Sequence, residues 1–213
     1  QTLSDYLCLS GPERGLAITF DDGFQSVFQY AFPILERYNI KATVFVIPQF
    51  VGQFNTWDVT FGTRARLMRW DELRELRRAG WEIGSHTMTH RDLRRISRDQ
   101  RIRELRDSRL LLQKNLKTCS RVISFPFGNT DAATIDDCKS VGYRNGVVLS
   151  ELSGELDPDF NISRHGVYLF DSKKRVRQKI IGKYRMINRA LQRGIGWCSN
   201  ATVAVKEKEW QIH

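Results

Sequence analysis

The sequence predicts an α/β fold built on parallel strands. Three observations carry that expectation. Short β-branched apolar runs alternate with stretches of helical periodicity along most of the chain. Several of those runs end in polar, chemistry-bearing residues, where parallel α/β folds place their sites. At 213 residues the chain is long enough for one sizeable core, and no apolar run approaches a membrane span.

Taken in order, residues 16–20 read as a strand ending in Thr19-Phe20-Asp21-Asp22-Gly23. Residues 26–38 carry Val27, Tyr30, Ala31, Ile34 and Leu35 at helical spacing. The run 42–47 is a strand stopped by Pro48, and 49–68 reads as a long aromatic loop with Phe50, Phe54, Trp57 and Phe61. Asp71 is the expected cap of a helix running to Ala79 and closed by Gly80. Residues 81–85 form the next strand, and Ser97 caps a helix over 98–116. Strand 122–125 leads into Pro126-Phe127-Gly128, helix 131–141 is closed by Gly142, and strands are expected at 144–149 and 162–169. A basic amphipathic helix is expected over 173–191.

The chemistry concentrates at three strand ends. His86 and His90, two of only four histidines, stand four residues apart, a spacing that aims two imidazoles at one point. Either pattern alone has an ordinary explanation, since Asp-Asp-Gly is a common turn and two histidines can be plain polar residues. Together they point to a cation. Adjacent carboxylates repel unless positive charge lies beside them, and a two-His, one-Asp set leaves coordination positions open for hydrolysis.

Thr19-Phe20-Asp21-Asp22-Gly23, His86-Thr87-Met88-Thr89-His90 and Phe125-Pro126-Phe127-Gly128 resemble, in order, the first three motifs of the polysaccharide deacetylases, the NodB-homology or family four carbohydrate esterases. The resemblance covers residues 16–149 and implies a distorted (β/α) barrel. It also implies metal-dependent removal of N- or O-acetyl groups from a polysaccharide or oligosaccharide, with zinc, or else cobalt or nickel. By that resemblance Asp22, His86 and His90 hold the metal, and Asp21 is the base that deprotonates the metal's water. The Phe127 backbone N–H then contacts the oxyanion, and Thr87 supports a ligand. The Phe-Pro-Phe-Gly form resembles the exopolysaccharide branch, which includes the poly-N-acetylglucosamine deacetylases.

Two departures stand out. Many members pair the base with an arginine where this chain has Ser124, and Arg164 is the expected substitute cation. No late Leu-x-His motif supplies the general acid. His165 is one candidate, an upstream Tyr-His segment is another, and water is a third. His213 is discounted as the last residue. Residues 1–10 lack the basic start and apolar centre of a signal peptide, and the chain begins with Gln, so a single deacetylase domain missing an upstream segment is expected. Its core motifs span 16–170 and its basic helix about 172–193.

Trp57 and Phe61 are expected to be exposed and to stack on sugar rings. The net charge of +10, concentrated in 64–114 and 173–193, suits an anionic polymer or a membrane surface, or is a solvated helix face. No nucleic-acid reader motif accompanies it. The four cysteines include no CxxC pair; reduced thiols are expected, with a Cys119–Cys138 bridge conceivable. The resemblance places the protein outside the cytoplasm. Readings from other classes are a glycan-binding pseudoenzyme, motivated by the missing acid, and a deacylase of a small amide or lipid-linked sugar.

Overall fold

The computed structural model describes residues 1–9, 15–57, 64–149, 156–168 and 171–181. Six parallel strands follow one another in a single sheet in chain order: β1 (Thr19–Phe20), β2 (Thr43–Val46), β3 (Glu82–Ser85), β4 (Val122–Ser124), β5 (Asn145–Val148) and β6 (Ile162–Ser163). The helices between them are α2 (Phe32–Arg37), α3 (Trp70–Arg78), α4 (Arg98–Leu116) and α5 (Ala132–Val141), with α1 (Leu3–Leu7) before the sheet and α6 (Lys173–Ile180) after it. The sheet curls into a distorted (β/α) barrel, and Arg164 beyond β6 hydrogen-bonds Thr19 of β1 and Asp21 just after it across the opening.

Strand alternation sorts the core into two layers. Val44 and Val46 of β2 face the outer helices and pack with Leu73, Leu76 and Leu112. Ile123 and Val148 do the same beneath α4 and α5. Phe45, Val122 and Val147 point the other way and fill the barrel interior with Leu3 and Leu7 of α1. Gly84 of β3 belongs to this interior layer. A Cβ there would stand 2.4 Å from the Phe45 ring, so only glycine leaves that ring its space. Burying Phe45 contributes about 2–3 kcal/mol of transfer free energy.

The helix α1 was not foreseen from the sequence. Thr2 caps it by accepting from Asp5 N, and it seats on the lower barrel end, where Leu3 N donates to Thr43 Oγ1 at 2.8 Å. Glu82 accepts from Thr43 Oγ1 at 2.8 Å and also from Ser4. Three boundaries also move. The helix expected over 26–38 is a wide turn (Val27–Ala31) followed by α2, and Phe32 N reaches back five residues to Val27 O. Pro33 has no N–H to give the regular ladder, which favours that widening. The cap of α3 is Arg69, not Asp71; the Glu72 carboxylate accepts Arg69 N at 2.7 Å. The last strand stops at Ser163, because Arg164 turns inward instead of continuing the ladder.

Helix α4 follows Ser97 as its cap, and α5 follows Asp131 and ends at Gly142 with φ 98°. The basic helix is described only to Ile181; its expected remainder to 191 lies outside the described residues. Cys8, Cys119 and Cys138 are free thiols, so Cys119 and Cys138 are not bridged.

Candidate metal and catalytic site

The C-terminal ends of β1, β3 and β4 converge. Beyond β1 the chain turns at once: Asp22 has φ 68°, Gly23 has φ 75°, and Gly23 N donates to Asp21 O at 2.9 Å. This turn sends the two adjacent carboxylates in different directions. Asp22 faces the histidines, with its Oδ1 3.5 Å from His86 Nε2 and 3.6 Å from His90 Nε2. Asp21 faces the barrel interior and Arg164.

The three donor atoms of Asp22, His86 and His90 lie within 4.8 Å of one another, and no other His/Cys/Asp/Glu group of this kind occurs among the described residues. Their spacing fits a divalent cation. Ligands about 2.1 Å from a shared centre at tetrahedral angles stand about 3.4 Å apart. Two neutral nitrogens and one carboxylate oxygen form a donor set suited to zinc or a similar ion. The His86 tautomer agrees with this. The buried ring of His86 donates Nδ1–H to Ser124 O at 2.7 Å, leaving the Nε2 lone pair facing Asp22. Burial holds the His90 imidazole well below its usual pKa, reinforced by His86 and opposed by Asp21, so it stays neutral.

The loop that carries both histidines is held in an unfavourable backbone shape. Thr87 has φ 64° and His90 has φ 63°, in the left-handed region that a β-branched residue such as threonine rarely enters. Thr87 Oγ1 accepts His90 N at 3.0 Å, which closes the turn. Glu104 of α4 accepts Thr89 N at 2.8 Å and the Thr89 hydroxyl. Ser85 Oγ and Ser108 Oγ of α4, 2.6 Å apart, join the strand end to the same helix. Glu104 and Ser108 escaped the sequence reading. Both sit inside a long helical pattern, and only the packing of α4 against the loop reveals them.

Asp21 lies in a polar cage. Arg164 donates Nη1–H to Asp21 Oδ1 and Nη2–H to Oδ2, each at 2.9 Å. Its guanidinium also donates to Thr19 Oγ1 and Ser124 Oγ at 2.9 Å and stands 5.5 Å over the Phe45 ring. Burial alone would raise the Asp21 carboxyl. The charge of Arg164 and the hydrogen bonds from Arg164 and Ser124 outweigh it and hold the group down at about 2. The carboxylate is therefore ionised and bidentately fixed.

Phe127 lies at the β4 end against His90. Its backbone is left-handed at φ 61°, and its ring stands edge-on to His90 with centroids 4.9 Å apart. Asn129 Nδ2 donates to Asp92 Oδ2 at 3.2 Å, tying the Phe127 turn to the chain just beyond His90.

The expectation for Trp57 needs correcting. It is 6% exposed, stacked on Phe50 at 4.9 Å and Phe24 at 6.3 Å, and tilted against His90 at 5.8 Å. It walls the candidate site beside His90 with its face covered, because the aromatic loop has enough apolar surface to form its own small core with Ile47 and Leu67. Phe61 and His213 lie outside the described residues. His165 is exposed beside Arg164, and none of the site contacts described above involves it.

A family model for polysaccharide deacetylases matches residues 9–146. The poly-beta-1,6-N-acetyl-D-glucosamine N-deacetylase of Staphylococcus aureus (strain MSSA476) is 30% identical over 152 residues, covering 66% of this chain and 49% of that protein. The chain spans about half the length of the curated relatives it matches. Among solved structures, the Streptococcus pyogenes deacetylase PplD in complex with acetate aligns with a TM-score of 0.67 and 25% identity, covering 80% of this chain and 73% of that one. IcaB from Ammonifex degensii aligns with a TM-score of 0.57 at 22% identity, covering 67% and 63%, and shares the fold.

Proposed function

This chain belongs to the polysaccharide deacetylase family, and on that premise we propose that it is a divalent-metal-dependent hydrolase that removes N-acetyl groups from an extracytoplasmic amino-sugar polymer, as a single catalytic domain. The observation that carries this reading is the division of labour between two adjacent aspartates. Asp22 faces the Nε2 atoms of two imidazoles, while Asp21 is ionised and clamped by Arg164.

A divalent cation held by Asp22, His86 and His90 would supply Lewis acidity to an acetyl carbonyl and acidify a water. The protein's own groups do the rest. Asp21 accepts the proton of the attacking water at a carboxylate oxygen. Arg164, Ser124 and Thr19 keep that carboxylate oriented and charged, in place of the arginine that many relatives carry at the Ser124 position. The Phe127 N–H is the proposed donor to the oxyanion as the carbonyl becomes tetrahedral. Thr87 holds the His90 backbone, and Trp57 walls the pocket on one side. His165 remains one candidate proton donor to the leaving nitrogen, beside an upstream segment and water; full turnover by His165→Ala would remove it from that role.

The S. aureus relative makes poly-N-acetylglucosamine the first polymer to try. The test is acetate release from N-acetylated oligosaccharides, with and without added zinc, comparing the native chain with Asp21→Asn. The expected result is zinc-stimulated release that falls roughly 10²–10⁴-fold in the variant. Equal release by both proteins would overturn the role of Asp21.

A further inference from the structure

The barrel end opposite the site carries a feature that catalysis does not use. Parallel strands place every helix-to-strand connection on that one end. Four of those connections, 37–41, 77–81, 114–121 and 139–144, hold nine Lys and Arg residues and no Asp or Glu. Lys41 is paired with Glu36 and Lys139 with Asp157. The other seven are exposed: Arg37 ends α2, Arg77 and Arg78 end α3, Lys114 and Lys117 end α4, and Arg121 and Arg144 precede β4 and β5. None of the seven forms an ion pair with an acidic side chain among the described residues.

The connections form one continuous strip. Gly80 lies against the Lys41 side chain. Arg77 Nη2 donates to Lys117 O, and Arg144 N donates to Arg121 O at 2.8 Å. Arg109 bridges Ser120 O and Val141 O. Cations in a last helical turn complement the helix dipole, which accounts for Arg37, Arg77, Arg78 and Lys114. It does not account for Lys117, Arg121 or Arg144, which lie beyond the helices. The arginine-rich middle of the chain differs. There Arg69 meets Asp71, Arg94 meets Asp92, Arg98 and Arg101 meet Asp137, and Arg106 meets Asp107.

Exposed apolar groups stand beside the cations. Tyr38 is 73% exposed directly after Arg37, with Ile34 at 55% one turn back. Tyr6 at 40% and Leu9 at 41% project from α1 and its end, on the same barrel end where Leu3 and Ser4 contact Thr43 and Glu82. Tyrosine with a basic surround is the chemistry of a bilayer interface, where the ring sits at headgroup level and the cations meet anionic lipid. A soluble polyanion would call for the cations alone.

We infer that this face docks the domain on an anionic lipid bilayer. Docked so, the opposite end of the barrel, with Asp21 and the metal pocket, faces away from the lipid toward a polymer in the surrounding space.

The test is sedimentation of the chain with phosphatidylcholine vesicles and with phosphatidylglycerol-containing vesicles, at low and high salt. Binding is expected only to the anionic vesicles and is expected to weaken with salt. The variant Arg77→Glu, Arg78→Glu, Lys117→Glu should bind about tenfold or more weakly, with thermal midpoint and acetate release from soluble oligosaccharide retained. The glutamine version of the same triple should show a smaller loss and serves if the glutamate version does not fold. Lys173→Glu, Lys174→Glu, Arg177→Glu on α6 makes the same charge change elsewhere and should bind as the native chain does. Tyr38→Ser should weaken vesicle binding and leave dextran sulfate binding unchanged. Failure of the native chain to sediment with anionic vesicles, or equal loss in the α6 variant, overturns the inference. Full vesicle binding by Tyr38→Ser would make the face a polyanion site instead and equally overturn it.

Discussion

The two ends of the barrel use the same unusual backbone for different purposes. Six non-glycine residues among those described have left-handed φ. Asn39 and Lys117 lie at the lower end, where each follows a helix and closes a turn. Asparagine tolerates that region, and a helix C-terminus creates demand for it. Asp22, Thr87, His90 and Phe127 lie at the upper end, in the turns that aim the ligands and wall the pocket. At the lower end glycine would serve at least as well. At the upper end the strained residue is present for its side chain, and hydrogen bonds donated by the His90 and Thr89 backbone N–H groups to Thr87 and Glu104 hold the loop there.

The sharpest way to break this contrast is at the ligands. His86→Ala should lower zinc affinity more than a hundredfold, read by titration of metal-free protein, and abolish acetate release. Retained zinc binding would show that the cluster is an ordinary polar turn. Next in size is Arg164→Met. It leaves the mostly buried Asp21 carboxylate without its bidentate partner, so stability should fall by about 2 kcal/mol. Turnover should fall with it while zinc affinity holds, a split that separates the Asp21 cage from the metal pocket.

A smaller effect is expected at Glu104. Glu104→Ala should weaken zinc binding up to about tenfold by freeing Thr89 and so loosening the backbone that carries the neighbouring His90. Glu104→Gln, which can still accept from Thr89 N, should recover part of it. The smallest effect tests the two ends directly. Lys117→Gly should raise the unfolding free energy by about 1 kcal/mol and leave turnover alone. Thr87→Gly, in the same backbone region, should gain no such stability without losing zinc affinity. If both glycines behave alike, the strain at the upper end has no special role.

The parallel α/β alternation was legible, because each strand and helix carries its own period and most have their own cap, as Ser97 and Asp131 do. So were the residues that come together as Asp22, His86 and His90, since the spacing within each motif is local. The rest was not legible, for reasons particular to each element. The split before α2 depends on one missing N–H at Pro33. Trp57 looks like a free sugar platform in sequence and becomes a buried wall once Phe24 and Phe50 close on it. Glu104 is one polar residue on a long charged helix until α4 lies under the histidine loop. The charge of 64–114 reads as one basic patch, yet acids distant in sequence such as Asp137 neutralise part of it, while scattered cations gather at the lower end.

What the sequence determined by itself is what short-range physics can encode: the alternating elements, their caps, and the identity of the groups able to bind a cation. What only the tertiary structure decided is how those groups are partnered. Asp21 and Asp22 are neighbours in the chain and chemically identical. A left-handed turn sends one toward two imidazoles from β3 and the other toward a guanidinium more than a hundred residues away. Their different roles come from that separation of charge environments. It exists only when the curled sheet brings the ends of β1, β3, β4 and β6 together.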